Sequence, residues 1–215
     1  HELGANRWAW DMRRDGMHCV YDLNVFEGFN GALVKTCTYT ATVSIGRAEA
    51  SAELVLVPDP RVVATPEQFA TIGARIETAT AIVNELLHGV EGIRKARSQV
   101  ETLMEDYPDS QALQVAGASA IKRLTVWEEN DYQVELETYE DVDNLPPRLI
   151  KQTRHLLEVL DNAGPPVAAG AEERLRDLQG EWTALRNELQ AIYSSDIAAV
   201  NSWAAERQAP HVSTL

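Results

Sequence analysis

Between Phe69 and Leu103 apolar residues recur three and four positions apart: Phe69, Ile72, Ile76, Ala79, Val83, Leu86, Val90 and Ile93, then Val100 and Leu103. That spacing lays a stripe along one side of a helix and repeats in heptads, which commits the chain to one long helix needing partners along its length. Its start is marked by Thr65 as N-cap, Pro66 at the first helical position and Gln68 placed to close a capping box. Its end is set by Tyr107-Pro108, because the residue before a proline is driven out of the helical region.

The sequence beyond supplies the partners. A second helix is predicted from a cap at Asp109 or Ser110, antiparallel to the first, carrying Leu113, Ala116, Ile121, Leu124 and Trp127. The stretch from Glu128 to Asp143 then holds eight acidic residues and no basic one. A third helix begins near Pro146-Pro147, carries Leu149, Ile150, Leu156, Leu157 and Leu160, and ends before Asp161. A fourth runs from about Ala168 to Ala191 through Leu175, Leu178, Trp182, Leu185 and Leu189. A last short one, capped by Ser195 or Asp196, carries Ile197, Val200 and Trp203. An antiparallel up-and-down bundle of four to five α-helices over 61–215 is the expectation.

Residues 1–60 follow a different period. Trp8, Trp10 and Met12 alternate with Arg7, Ala9, Asp11 and Arg13, as a half-buried strand would. Tyr39, Ala41, Val43 and Ile45 alternate with Thr38, Thr40, Thr42 and Ser44, and Ala48, Ala50, Ala52 and Leu54 with Glu49, Ser51 and Glu53. Gly46-Arg47 between the last two suits a two-residue hairpin turn with glycine first. The predicted class is α+β: a small antiparallel, incomplete immunoglobulin-like β-domain over 1–60, then the bundle. So small a sheet needs another surface to cover it. Cys19 and Cys37 are the only cysteines, both in this β-rich part. They suit either a disulfide, worth about 3 kcal/mol by loop entropy and pointing to an oxidising compartment, or two unrelated buried thiols.

Charge narrows the function classes. A net charge of -14, of which residues 61–215 carry -11 (14 basic against 25 acidic), opposes the clustered Lys and Arg that a phosphate backbone requires. A partner therefore offers a basic or apolar surface. No run approaches the roughly 20 apolar residues of a membrane-spanning helix.

Chemistry-bearing patterns are few. Glu85 and His88 have the Glu-x-x-His spacing of carboxylate-bridged metal bundles, but the heptad phase turns both to solvent and no second pair exists. Residues Tyr139 to Asn144 cluster carboxylates without the glycine and distal glutamate of an EF-hand loop. No Ser-His-Asp or Cys-His set can be assembled, so no catalytic, cofactor or metal residue is expected. Trp8 and Trp10 would form a sugar-stacking platform only if both rings were exposed and coplanar.

The stretches GANRWAWDMR, TYTATVSIG and LVLVPDPR, each in order before a long helix, resemble the C-terminal region of bacterial secreted sortilin-like proteins with BNR/Asp-box repeats, often described as glycosyl hydrolases. The matching positions are Gly4, Asn6, Arg7, Trp10, Asp11 and Arg13; Tyr39 and Val43; Asp59, Pro60 and Arg61; and Asp196, Ile197, Val200 and Asn201. Thr36-Cys37-Thr38 stands where that family has Pro-Gly before the tyrosine. The family's β-propeller, with any active site, is absent from the chain. The resemblance implies a non-catalytic structural or interaction module outside the cytoplasm, periplasmic or extracellular. It would dock on a larger assembly, either a propeller or the periplasmic face of a membrane complex. The alternatives are an accessory part of a glycoside hydrolase and a carbohydrate-binding module.

Overall fold

The computed structural model describes residues 4–23, 28–136, 141 and 144–214. The chain is α+β, a two-stranded antiparallel sheet followed by four helical rods. The first rod, α1 (Pro66–Asp106), opens at the Thr65 capping box and closes at Tyr107. Buried residues fall on it as neighbouring pairs (Ile72-Gly73, Ile82-Val83, Leu86-Leu87, Gly92-Ile93), so its apolar face is wider than a single seam and meets more than one partner.

Helix α2 (Gln111–Asp131) returns along the C-terminal half of α1. Gln114 Nε2 donates to the Met104 carbonyl, Arg97 reaches Thr125 and Arg94 reaches Glu128, the descending order of an antiparallel pair. Helix α3 (Leu149–Ala163) packs against α1 as well, with Leu160 beside Ile72 and Ile76 near the start of α1. The fourth rod runs the other way: Arg75 pairs with Glu172 and Glu85 with Trp182, a constant offset that makes it parallel to α1. It comprises α4 (Ala169–Ile192), a π-helical segment (Tyr193–Ile197) and α5 (Ala198–Arg207), with helical backbone at both junctions.

The helical part is thus three rods thick. Forty-one residues of α1 span about 60 Å at 1.5 Å per residue. The α4–α5 rod lies alongside, and α2 and α3 share the antiparallel path in series. Instead of the expected separate last helix, the chain passes through Ser195 and Asp196 without a break. Neither caps a helix there: the Asp196 carboxylate turns sideways to α2, 2.5 Å from Arg123 Nη1 and 3.0 Å from the Ser119 hydroxyl.

Three tryptophans fill the core and each indole N–H finds an acceptor on another rod. Trp127 donates to the Leu185 carbonyl at 2.8 Å, Trp182 to Glu85 at 2.6 Å and Trp203 to the Ser110 hydroxyl at 2.9 Å. Trp127 lies against Gly89, where a Cβ would come within 2.7 Å of the ring.

Residues 12–23 and 28–35 form an arm across α1 and α3. Its limbs pair backbone to backbone (Val34 N with Met12 O, Arg14 N with Ala32 O, Met17 N with Phe29 O), and Met17, Val20, Leu23 and Ala32 join the helical core. Asp161 of α3 accepts from Leu33 N at 3.0 Å and from Arg13 Nη1 at 3.1 Å. The arm therefore shares one core with the helices. The predicted N-terminal strand is not formed: Met12 takes φ +60°, Arg13 contributes a single bridge to Leu33, and Trp8 is 81% exposed. Among the described residues the sheet has only β1 (Thr38–Ile45) and β2 (Ala48–Val55).

Where α2 ends, charge is buried. Glu128 accepts from Arg94 at 2.6 Å and Arg97 at 2.8 Å, while Asp131 is wholly buried with neither carboxylate oxygen hydrogen-bonded. Burial, then the Glu128 charge, pushes the Asp131 carboxyl well above the usual range.

Two outcomes follow. Gly89→Ala, whose methyl has no room against a fixed indole, lowers unfolding free energy by about 1–3 kcal/mol in urea titration. Because the folded state holds the Asp131 proton more tightly than the unfolded chain, the stability this group contributes is full below about pH 4 and is lost as pH rises. The stability of Asp131→Asn relative to the native chain therefore increases from pH 4 towards pH 7 in parallel denaturant titrations.

Candidate docking surface

Strands β1 and β2 pair antiparallel with Ile45 opposite Ala48 and Thr38 opposite Val55. Gly46 at φ +61° opens the two-residue turn, a backbone region glycine enters freely and the primed hairpin turns demand. The register separates an apolar face from one that is polar except for Val55. One face carries Tyr39, Ala41, Val43 and Ile45 against Leu54, Ala52, Ala50 and Ala48; the other carries Thr38, Thr40, Thr42 and Ser44 against Val55, Glu53, Ser51 and Glu49. A sheet so patterned has its apolar face on a core. Here every residue of both strands is exposed except the half-buried Tyr39, with Val43 at 62% and Ile45 at 56%.

Both ends of the hairpin are anchored at the start of α1. On one side the Tyr39 hydroxyl donates to the Lys35 carbonyl at 2.6 Å, and the Trp10 ring meets the Tyr39 ring edge-on with centroids 5.5 Å apart. The Cys37 side chain beside it, followed by desolvation, holds the Tyr39 phenol above its usual range. Lys35 reaches Glu77 of α1 at 2.6 Å, the contact that chiefly lowers the Glu77 carboxyl. On the other side Asp59, Pro60, Arg61 and Val62 make a turn closed by Val62 N to the Asp59 carbonyl. The Asp59 carboxylate accepts from Arg61 N at 2.9 Å and from Arg61 Nη2 at 2.6 Å, and this lowers its pKa.

Between these anchors opens a groove of about 600 Å³, walled by Leu33, Pro58, Phe69, Ile72, Ile76 and Leu160, with Arg14, Lys35 and Asp161 at its margin. Phe69 continues the α1 seam beyond the end of α3 and stands half-buried in the wall.

The positions singled out in the sequence serve the chain's own architecture. Asp59, Pro60 and Arg61 form the turn into α1. Asp11 accepts from Arg13 N, and Trp10 Nε1 donates to the Arg13 carbonyl, shaping the start of the arm. Asn6 Nδ2 donates to the Gly4 carbonyl and Arg7 is exposed. Asn201 clips the C-terminal tail to α5, donating to the Val212 carbonyl at 3.0 Å and accepting from Val212 N at 2.7 Å. Cys19 and Cys37 are exposed free thiols, neither the bridge nor the buried pair that the sequence offered. Most of the acidic stretch 139–144 lies outside the described residues, within which Asn144 N donates to the Asp141 carbonyl. Trp8 is exposed, whereas Trp10 is half-buried on Tyr39, so the two rings do not stand as an equal pair.

Glu85 and His88 are both exposed, as their heptad phase predicts, and they part company: Glu85 accepts from Trp182, whereas the His88 ring stacks on His18 of the arm. Sequence periodicity did not reveal the groove, because its walls come from the arm, the hairpin root, α1 and α3. The one signal was Phe69, an aromatic at the very start of the seam. Comparison with family models, curated proteins and solved structures finds no match to this chain.

Because Cys19 and Cys37 are exposed and free, alkylation of the folded chain without reductant adds two labels in intact-mass spectra, where a bridged pair would take none.

Proposed function

We propose that this chain is a non-catalytic docking module that works outside the cytoplasm, with the β1–β2 hairpin as its contact element and the helical rods as its mount. The observation that carries this reading is the apolar face of the hairpin, from Tyr39 to Ile45 and Ala48 to Leu54, which no part of the described chain covers. A lone two-stranded ribbon is marginal in water, so a covering surface also stabilises the hairpin itself.

Size and chemistry define the partner. Eight residues per strand and two strands give a face of about 26 by 10 Å, well short of the roughly 800 Å² per side of a stable interface. The contact therefore extends to the exposed Val57, Val62 and Val63 and into the Phe69 groove. The fitting partner is a protein presenting an apolar sheet face, which would complete the immunoglobulin-like β-domain that the hairpin begins. A β-propeller, as in the family the sequence resembles, or a β-rich subunit on the periplasmic face of a membrane complex has that character.

A photo-crosslinking amino acid placed at Val43 or at Thr42, on opposite faces of one strand, tests this in the native host. The expected result is a single protein adduct from Val43 and none from Thr42. Equal labelling from both positions, or adducts only with further copies of the chain, overturns the reading.

A further inference from the structure

Asn84, His88 and Glu91 follow one another at intervals of four and three along α1 and share one side of the helix. The arm crosses that side at His18. The His18 backbone N–H donates to Asn84 Oδ1 at 2.9 Å, its ring lies over the His88 ring with centroids 4.0 Å apart, and its Nε2 is 2.8 Å from Glu91 Oε2. One ring nitrogen from each histidine and one Glu91 oxygen lie within 4.8 Å of one another. From the residues described, Glu91 forms no ion pair with any lysine or arginine.

Two imidazoles and a carboxylate form the donor set that first-row divalent cations prefer, zinc foremost. At zinc–ligand distances of about 2.1 Å, tetrahedral donors stand about 3.4 Å apart. The His18–Glu91 pair is already closer than that, and rotation of the exposed His88 and Glu91 side chains closes the remainder. The third donor is held in place by tertiary structure: Asn84 fixes the His18 backbone, and Met17 and Val20 on either side are buried in the core.

We infer that His18, His88 and Glu91 bind one zinc-class divalent ion, which fastens the N-terminal arm to the middle of α1. Three protein ligands leave a fourth position towards solvent for water. The site is separate from the hairpin and its groove and does not depend on the docking role. The sequence offered Glu85 with His88 as a Glu-x-x-His pair and set it aside, with no metal ligand expected; Glu85 accepts from Trp182, and the carboxylate grouped with His88 and His18 is Glu91.

The test is titration of the full chain with Zn²⁺ by calorimetry and with Co²⁺ by visible absorption. One ion per chain is expected, with the intense bands of tetrahedral cobalt, together with a rise in melting temperature on adding Zn²⁺. His18→Ala, His88→Ala and Glu91→Gln each weaken binding at least about tenfold, since even outer residues of metal sites are worth that much. His155→Ala and His211→Ala leave it unchanged. His88 is exposed, so metal-free His88→Ala melts with the metal-free native chain, which separates loss of ligation from loss of fold. Absence of stoichiometric binding at micromolar Zn²⁺, or binding that survives all three ligand substitutions, overturns the assignment.

Discussion

Everything in this fold depends on covering α1. Its fourteen buried residues run from Ile72 to Leu103 and include adjacent pairs, so apolar surface faces more than one direction along most of its length. A helix of that character is stable only when sheathed from end to end. Neither α2, at 21 residues, nor α3, at 15, is long enough alone. The chain solves this by laying α2 and α3 end to end along one side, running α4 and α5 parallel along another, and closing the seam between α1 and α3 with the arm. Met17, Val20, Leu23 and Ala32 provide the buried side chains by which an irregular segment substitutes for a further helix.

Dividing the antiparallel path has an electrostatic consequence at the division. Where α2 stops, Glu128 is buried and is tolerated because Arg94 and Arg97, one turn apart on α1, both donate to it. Arg94 also donates to the Tyr21 carbonyl, so the same guanidinium holds the arm. Asp131, three residues on, has no such partners and is accommodated by keeping its proton. Along α1 the contacts with the arm proceed in order, Asn84, His88, Glu91 and Arg94, so a line of polar side chains on one side of the helix holds the arm.

Much of this was legible in the chain. The capping box at Thr65, the stop at Tyr107-Pro108, the seam residues and the Gly46-Arg47 turn were all readable because each depends on neighbours a few positions away. The end of α3 was placed early: Asp161 is helical and bonds the arm, and Gly164 at φ +66° marks the true stop. Ser195-Asp196 reads as a helix start because those residues favour caps, yet contacts with Ser119 and Arg123 on a distant helix keep the rod continuous through a π segment. Trp8, Trp10 and Met12 alternate like a strand, but alternation cannot register that Met12 adopts a left-handed backbone. The groove and the His18–His88 contact join positions seventy residues or more apart in chain order or come from several elements at once, so no local pattern announces them.

The hairpin's geometry follows from these same constraints. It leaves the arm at Lys35, which is bound to Glu77, and returns through the Asp59–Arg61 turn to the Thr65 cap of the same helix. Both limbs therefore start from the same end of α1, and the apolar face projects from there. Pre-organisation of the mount reduces the entropy lost on association, while the ribbon, weak in isolation, gains its own stability from the surface that covers it. The arm links the two features argued above: His18 sits on it near one end and Lys35 at the other, so whatever fixes the arm on α1 also fixes the root from which the hairpin projects.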